Sequence, residues 1–420
     1  MAKIYALQAK EVFDSRGIPT IELLLWLDNG FSTITTVPTP TGENNKFDAV
    51  DLRDKDERFL GLGVNKAVGH INQIIAPQIL EKEITAQGEL DKILLELDGT
   101  RDKSRLGANA ILAVSQAILK AGAISVGLPL YEYIQKKYNL IQNFVLPNCI
   151  VTAFDGGEHG GKNLDFQEFS LIPASHLSLE KSLEMIAVIK QKLESLLISK
   201  GAIHATGLTG GFTPNLYRNL DAFELLVEAI RTSTFNFAQD VFFGLQASAY
   251  RLFEAGKYRI RDANQGFTEK ELLQFYEQVR EKYKIIYLED PLIESDKKSW
   301  QLLTRDLGET TTIAACRHVA ARVSEINKIK ENKMANAIVL KPKQIGSVSE
   351  LMESIKTVKD HQLDLIISHS TGETLETLIV DLAVGVGANF VKFGPLNRGE
   401  RVVKYNRLLD ISRELNKKNT

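Results

Sequence analysis

Two segments place reactive side chains where a lysine and a histidine could act on one small molecule. Leu340-Lys341-Pro342-Lys343-Gln344-Ile345-Gly346-Ser347 sets a lysine directly after a short apolar run. Ser368-His369-Ser370-Thr371-Gly372-Glu373-Thr374 sets a histidine, with a small hydroxyl- and glycine-bearing loop, after the next. These are parts of a site that takes a proton from carbon. Comparable positions recur along the chain: Asp155 to Gly161 with His159, then Gln167-Glu168, the Gly207 to Phe212 loop with Thr209, and Leu245-Gln246. Leu288-Glu289-Asp290-Pro291, Ala315-Cys316-Arg317 and Val391-Lys392-Phe393-Gly394 complete the series. Any one of these is weak, because a lone histidine or strand-end glutamate is more often packed or solvated than catalytic. The specific signal is their order, each at its own strand end.

The elements that must hold them are legible from periodicity. From about residue 143 onward, short apolar runs alternate with amphipathic helical stretches. The strands predicted are Phe166 to Ile172, Asp240 to Leu245, Ile285 to Leu288, Thr311 to Ala315, Ala337 to Leu340, Leu363 to Ile367 and Phe390 to Phe393. Helices are predicted over Leu179 to Ser199, Glu269 to Tyr283, Val348 to Asp360 and Leu375 to Val384. Strand–helix alternation on this scale marks a (β/α) barrel, in which functional residues sit where strands end. The first part of the chain differs. Three strands, Ile4 to Leu7, Thr20 to Leu27 and Phe31 to Val37, precede helices over Ala67 to Leu80, Gly88 to Leu97 and Ala108 to Val126. A meander followed by helices is an α+β unit. The expected division is an α+β domain over 1–137 and a barrel domain over 143–420.

Length and composition suit two folded domains: 420 residues, 44% apolar and 25% charged. A net charge of −2 without a basic run predicts no nucleic-acid partner. Met1-Ala2-Lys3-Ile4-Tyr5 lacks the apolar centre of a signal peptide, and no span of about 18 apolar residues is expected, so no membrane is predicted. Cys149 and Cys316 read as reduced thiols in a cytoplasmic protein.

Several motifs together resemble one family. Glu11-Val12-Phe13-Asp14-Ser15-Arg16-Gly17-Ile18-Pro19-Thr20 is similar to the DSRGNPT signature of the enolases, the 2-phosphoglycerate lyases (phosphopyruvate hydratases) of glycolysis. Leu97-Asp98-Gly99-Thr100 and Leu106-Gly107-Ala108-Asn109-Ala110 resemble their LDGT and LGANA segments. Gln167-Glu168-Phe169, Gly210 to Asn215, Glu289-Asp290-Pro291, Gln344 to Ser347 and Gly372-Glu373-Thr374 follow in family order. The resemblance covers nearly the whole chain. It implies an α/β fold with an enolase-like N-terminal α+β domain and a C-terminal (β/α)8-type (TIM-like) barrel that opens with two strands and two helices. It also implies a homodimer or dimer-based assembly, through Arg16 and Glu400-Arg401.

The family's lysine removes a proton next to a carboxylate, and two Mg2+ ions hold the doubly charged intermediate. Carried over by position, the resemblance implies Lys341 as the base, Lys392, His159, Gln167, Glu168 and His369 as substrate contacts, and Glu289 as a metal carboxylate. The departures are as specific as the matches. Thr209 stands where the family has its acid glutamate. Gln246 and Cys316 stand at the other two metal carboxylates. Ser370 replaces the phosphate-binding arginine, Thr371 replaces a serine, and Thr39-Pro40-Thr41-Gly42-Glu43-Asn44 replaces the mobile SGAST loop. Mg2+ wants several oxygen ligands, chiefly carboxylates, so one glutamate beside an amide and a thiol predicts weak Mg2+ binding.

Three readings follow. The first is a divergent enolase homologue with lost or strongly reduced dehydration, keeping a pocket for a small phosphorylated acid or other small anion. The second is an active Mg2+-dependent enolase. The third is a retuned enzyme using Cys316 as nucleophile beside Lys341. An inward Arg317 paired with Glu289 is a further expectation of the first.

Overall fold

The computed structural model describes residues 2–40 and 47–418. The Thr41 to Asn44 part of the replaced loop therefore lies outside the described residues. Strands β1 (Ile4–Phe13), β2 (Pro19–Leu27) and β3 (Ser32–Thr36) form an antiparallel sheet in sequence order. Its inward residues Ile21, Leu23 and Leu25 pack on α2 (Ala108–Ser125), which follows α1 (Gln87–Asp98) and precedes α3 (Leu130–Tyr138). By length and composition alone helix α2 could cross a membrane, a weak signal that the core helix of a globular domain also gives. It is mostly buried against the sheet, which is why it is apolar nearly all round. Gly107 starts it at φ +101°, and a Cβ there would meet Asn109 Oδ1 at 2.5 Å and Leu52 Cβ at 2.6 Å, so glycine is required.

The second unit is a nearly closed sheet. Strands β4 (Asn148–Cys149) and β5 (Val151–Asp155) are separated only by Ile150 and lie at the two ends of the strand order. Next come β6 (Glu168–Pro173), then helices α4 (Leu179–Ser199) and α5 (Asn219–Arg231), then β7 (Val241–Gln246). Strand β6 runs antiparallel to both β5 and β7, which is the two-strand, two-helix opening expected from the resemblance. The rest alternates regularly: α6 (Glu269–Tyr283), β8 (Ile285–Glu289), α7 (Lys297–Leu307), β9 (Thr312–Ala315), α8 (Val323–Glu331) and β10 (Ala337–Leu340). It ends with α9 (Val348–Asp360), β11 (Asp364–Ser368), α10 (Leu378–Gly385), β12 (Phe390–Lys392) and α11 (Gly399–Lys418). These later strands are parallel, and β12 pairs with β4 to complete the circuit. Ile150, Ile172, Tyr287, Ala314, Val339 and Ile366 fill the interior of the sheet, while a larger apolar layer lies between strands and helices.

Register puts the chemistry at one mouth. Asp155 lies opposite Glu168, Glu168 opposite Gln246, Gln246 opposite Glu289, and Ser368 opposite Lys392. The first unit docks on this mouth. Ser15 N–H donates to Glu373 O at 2.8 Å, and Thr39 and Gly372 exchange backbone hydrogen bonds at 2.8 and 3.1 Å. Gly372 is obligatory, because a Cβ would stand 2.1 Å from both Asp14 Oδ2 and Thr39 Oγ1. Arg16 is occupied within this joint, donating to Thr39 Oγ1 at 2.7 Å and Pro40 O at 2.8 Å.

Candidate active site

A cavity of about 140 Å³ opens at the mouth. Ten predicted residues line it: His159, Gln167, Glu168, Gln246 and Cys316 among them, with Lys341, His369, Ser370, Thr371 and Lys392. Glu289 stands just behind its wall, fully buried. Thr209 does not reach it. Gln167 precedes β6 rather than lying within it, and is anchored by its N–H to Gln246 O at 2.9 Å.

The centre of the site is an ammonium. Lys392 Nζ lies 2.8 Å from Glu289 Oε2 and 3.1 Å from Glu168 Oε2, and it also donates to Gln246 Oε1. Burial opposes its charge, but Glu168 and Glu289 outweigh burial and raise its pKa. Burial acts on Glu168 in the opposite sense to Lys392, and the lysine prevails, holding the carboxylate well below its ordinary range. Thr152 Oγ1 donates to Glu168 Oε2 at 3.1 Å. His159 Nδ1 lies 3.1 Å from Glu168 Oε1. Glu289 Oε2 also accepts from Tyr287 Oη at 2.6 Å. Thus the cation partner of Glu289 is Lys392. The expected Arg317–Glu289 pair is not formed: Arg317 Nε lies 3.4 Å from Glu294 Oε1, and its guanidinium carbon stands 3.9 Å from the Tyr250 ring centroid.

Lys341 emerges at the end of β10, capping a short turn that begins at Pro342. Burial disfavours its charge, yet Cys316 and Glu289 raise its pKa above the ordinary lysine value. Burial pushes the Cys316 thiol well up, only partly offset by Lys341. At neutral pH the pair is therefore ammonium and thiol. Neither is in the form that general-base or nucleophilic chemistry needs. Desolvation outweighs the lowering by Lys341, so the net shift of the thiol is upward.

On the far side, His369 Nδ1 is held by Arg401 and lies 2.9 Å from Ser370 O. Burial, then Arg401, drives its pKa well below the ordinary value, so the imidazole is neutral. Arg401 also donates to Thr371 O at 2.7 Å and is wholly buried. It braces the His369–Thr371 loop from inside the chain, so it is not the dimer contact expected of it. Sequence reasoning did not foresee this brace, and its signal is only the arginine of the Glu400-Arg401 segment.

Thr209 faces Asp155 instead of the cavity. Its hydroxyl donates to Asp155 Oδ1 at 2.5 Å, and the N–H groups of Thr209, Gly210 and Gly211 donate to Oδ2 at 3.0, 3.2 and 3.2 Å. A threonine hydroxyl cannot serve as an acid at neutral pH, and here it is spent on folding the loop. Burial pushes the Asp155 carboxyl up to about 6, with His159 and Thr209 opposing. A folded-state pKa above the unfolded one favours the native state at low pH. That stability is lost as pH rises from about 4 through 6, by about 3 kcal/mol. Asp155→Asn is expected to flatten the denaturation free energy across this window, measured by urea melts at about half-unit pH steps. An unchanged slope would show that Asp155 does not titrate there.

The residues at the expected metal positions do not suit Mg2+. Gln246 Oε1 is occupied by Lys392, Cys316 offers a protonated soft sulfur, and an ammonium already sits against the one family carboxylate. This donor set does not fit a hard divalent ion that needs several oxygen ligands. Glu289, Asp290 and Cys316, like Asp155, His159 and Glu168, do bring ligand atoms within 4.8 Å of one another.

Fold and site together define a barrel protein with polar and charged side chains gathered at one mouth of its sheet. Residues 143–420 match the family model described as enolase, C-terminal TIM barrel domain, and residues 4–134 match that of the enolase N-terminal domain. The chain is 39% identical over 408 residues to the enolase of Ehrlichia canis, covering 97% of this chain and 95% of that one. It is 37% identical over 415 residues to the enolase of Ehrlichia ruminantium, covering 99% and 97%. The chain belongs to the enolase family.

Proposed function

We propose that this is a divergent enolase-family protein whose Mg2+-dependent dehydration of 2-phosphoglycerate is lost or strongly reduced. On this reading it keeps a barrel pocket compatible with a small phosphorylated acid or another small anion, in a binding or scaffold role. One observation carries it: the Lys392 ammonium lies among Glu168, Glu289 and Gln246, giving those groups a built-in cation. The chain's own residues support it further. The lysine at the base position is charged, the acid position is a buried threonine, and the phosphate arginine is Ser370. Five basic side chains line the cavity, namely Arg251, Arg317, Lys341, Lys343 and Lys392. Against them stand three carboxylates on the lining, Asp48, Glu168 and Asp290, with Glu289 behind. With this reading go a division of the chain into 1–137 and 143–420, a dimer-based assembly and a cytoplasmic setting.

The likeness to relatives favours the second reading more strongly. The relatives matched across nearly their whole length are named enolase, and nothing in them points to lost activity. His159, Glu168, Lys341 and Lys392 are retained here. An active Mg2+-dependent enolase converting 2-phosphoglycerate to phosphoenolpyruvate is therefore the alternative. The experiment is a continuous absorbance assay for phosphoenolpyruvate with 2-phosphoglycerate and Mg2+. Loss of one charge-stabilising group costs about 10²–10³ in rate. With several gone, turnover is expected at least that far below the Ehrlichia canis protein assayed alongside. Comparable turnover would establish the alternative.

A further inference from the structure

A second cavity, of about 240 Å³, lies where helices α7 and α8 meet the loop that follows β9. It shares no lining residue with the mouth cavity. Phe47, Ile329 and Met334 give it an apolar wall, and Lys297 and Lys328, both exposed, border it. Ile329 and Met334 belong to the main apolar core, so the wall is packed structure.

His318 sets this cavity apart. The residue lines it, is 8% exposed, and has its Nε2 buried with no hydrogen-bond partner. The neighbouring indole cannot serve it. Trp300 stands edge-on to the imidazole, with centroids 5.4 Å apart at 68°, but its Nε1–H donates to Ile293 O at 3.1 Å. A buried polar atom without a partner is rare in folded proteins, because its lost hydration is not made good. An apolar side chain at this position would pack against Trp300 without that cost.

We propose that this cavity binds a small aromatic molecule carrying a hydroxyl group, with the hydroxyl bonded to His318. The volume exceeds the about 150 Å³ that holds one benzene ring. Phe47, Ile329 and Met334 offer a ring apolar contact, and a thioether packs well at an aromatic edge. An imidazole nitrogen donates or accepts according to its proton, and a hydroxyl answers either. The site adjoins the mouth without entering it. Glu294 lines this cavity and lies 3.4 Å from Arg317, which lines the mouth, and Phe47 directly precedes Asp48, which lines the mouth too. The inference stands on either reading of the barrel mouth.

The test uses fluorine NMR titration of the full chain with 4-fluorophenol and with fluorobenzene, rings that differ in one hydroxyl. Saturable binding of one 4-fluorophenol per chain is expected, at least about tenfold tighter than fluorobenzene. His318→Leu is expected to erase the difference between the two rings, with an unchanged melting temperature showing that it is folded. Should that variant not fold, Lys328→Trp, a change at an exposed bordering residue, is expected to obstruct the cavity and weaken both rings. No saturable binding, equal binding of the two rings by the unaltered protein, or the same preference for 4-fluorophenol in folded His318→Leu overturns the inference.

Discussion

Replacing Lys392 with Met is expected to destabilise the folded chain by about 3–5 kcal/mol, the usual cost of stranding one side of a buried ion pair. The ammonium is the shared counter-charge of Glu168 and Glu289, which are 2% and 0% exposed, so neither carboxylate can turn to water. In its absence one of them must take up a proton, and its pKa must rise steeply. The loss is therefore expected to grow with pH, because the proton becomes harder to acquire. Urea denaturation at about pH 5 and pH 8 measures this. Adding Glu289→Gln to Lys392→Met is expected to restore part of the stability, since the cycle removes one of the stranded charges. A loss below about 1 kcal/mol would mean that the ammonium is not the counter-ion of this site.

The second large effect runs the other way. Gln246→Asp with Cys316→Asp restores carboxylates at both altered ligand positions. A unit-charge pair at 4 Å is worth about 4 kcal/mol at an effective dielectric constant of 20. Two new carboxylates facing a divalent ion should exceed that, even with Lys392 competing. Mg2+ affinity is expected to rise by about a thousandfold or more, read by calorimetry. Turnover is not expected to follow, because Thr209 and Ser370 still lack the acid and the phosphate-binding cation. An unchanged affinity would show that these two positions do not govern metal binding.

Much of this was legible in the sequence, for a physical reason. Strand ends in a parallel barrel project to one mouth, so the order of Glu168, Gln246, Glu289, Cys316, Lys341 and Lys392 along the chain is also their order around the site. Helices such as Leu179–Ser199 and Glu269–Tyr283 were delimited by caps and an unbroken apolar stripe. What spacing could not supply was the choice of partner for long side chains. Lys392 reaches across the mouth to Glu168 and Glu289, Arg317 turns to Tyr250 and Glu294, and Arg401 runs inward to His369. These choices depend on depth and competing charges, which a linear pattern does not encode. The protonation states of Lys341 and Cys316 were illegible likewise, since burial decides them. Asp155 was noted only as part of a glycine-rich loop. That it gathers Thr209 and three backbone N–H groups follows from the fold of that loop alone.

On the proposed function the barrel mouth carries its own cation, Lys392, and does not hold magnesium. Calorimetric titration of the unaltered protein with Mg2+, with and without 2-phosphoglycerate, tests it most directly. No saturable magnesium binding in the millimolar range is expected in either case. Saturation at about two ions per chain in the presence of 2-phosphoglycerate would contradict it.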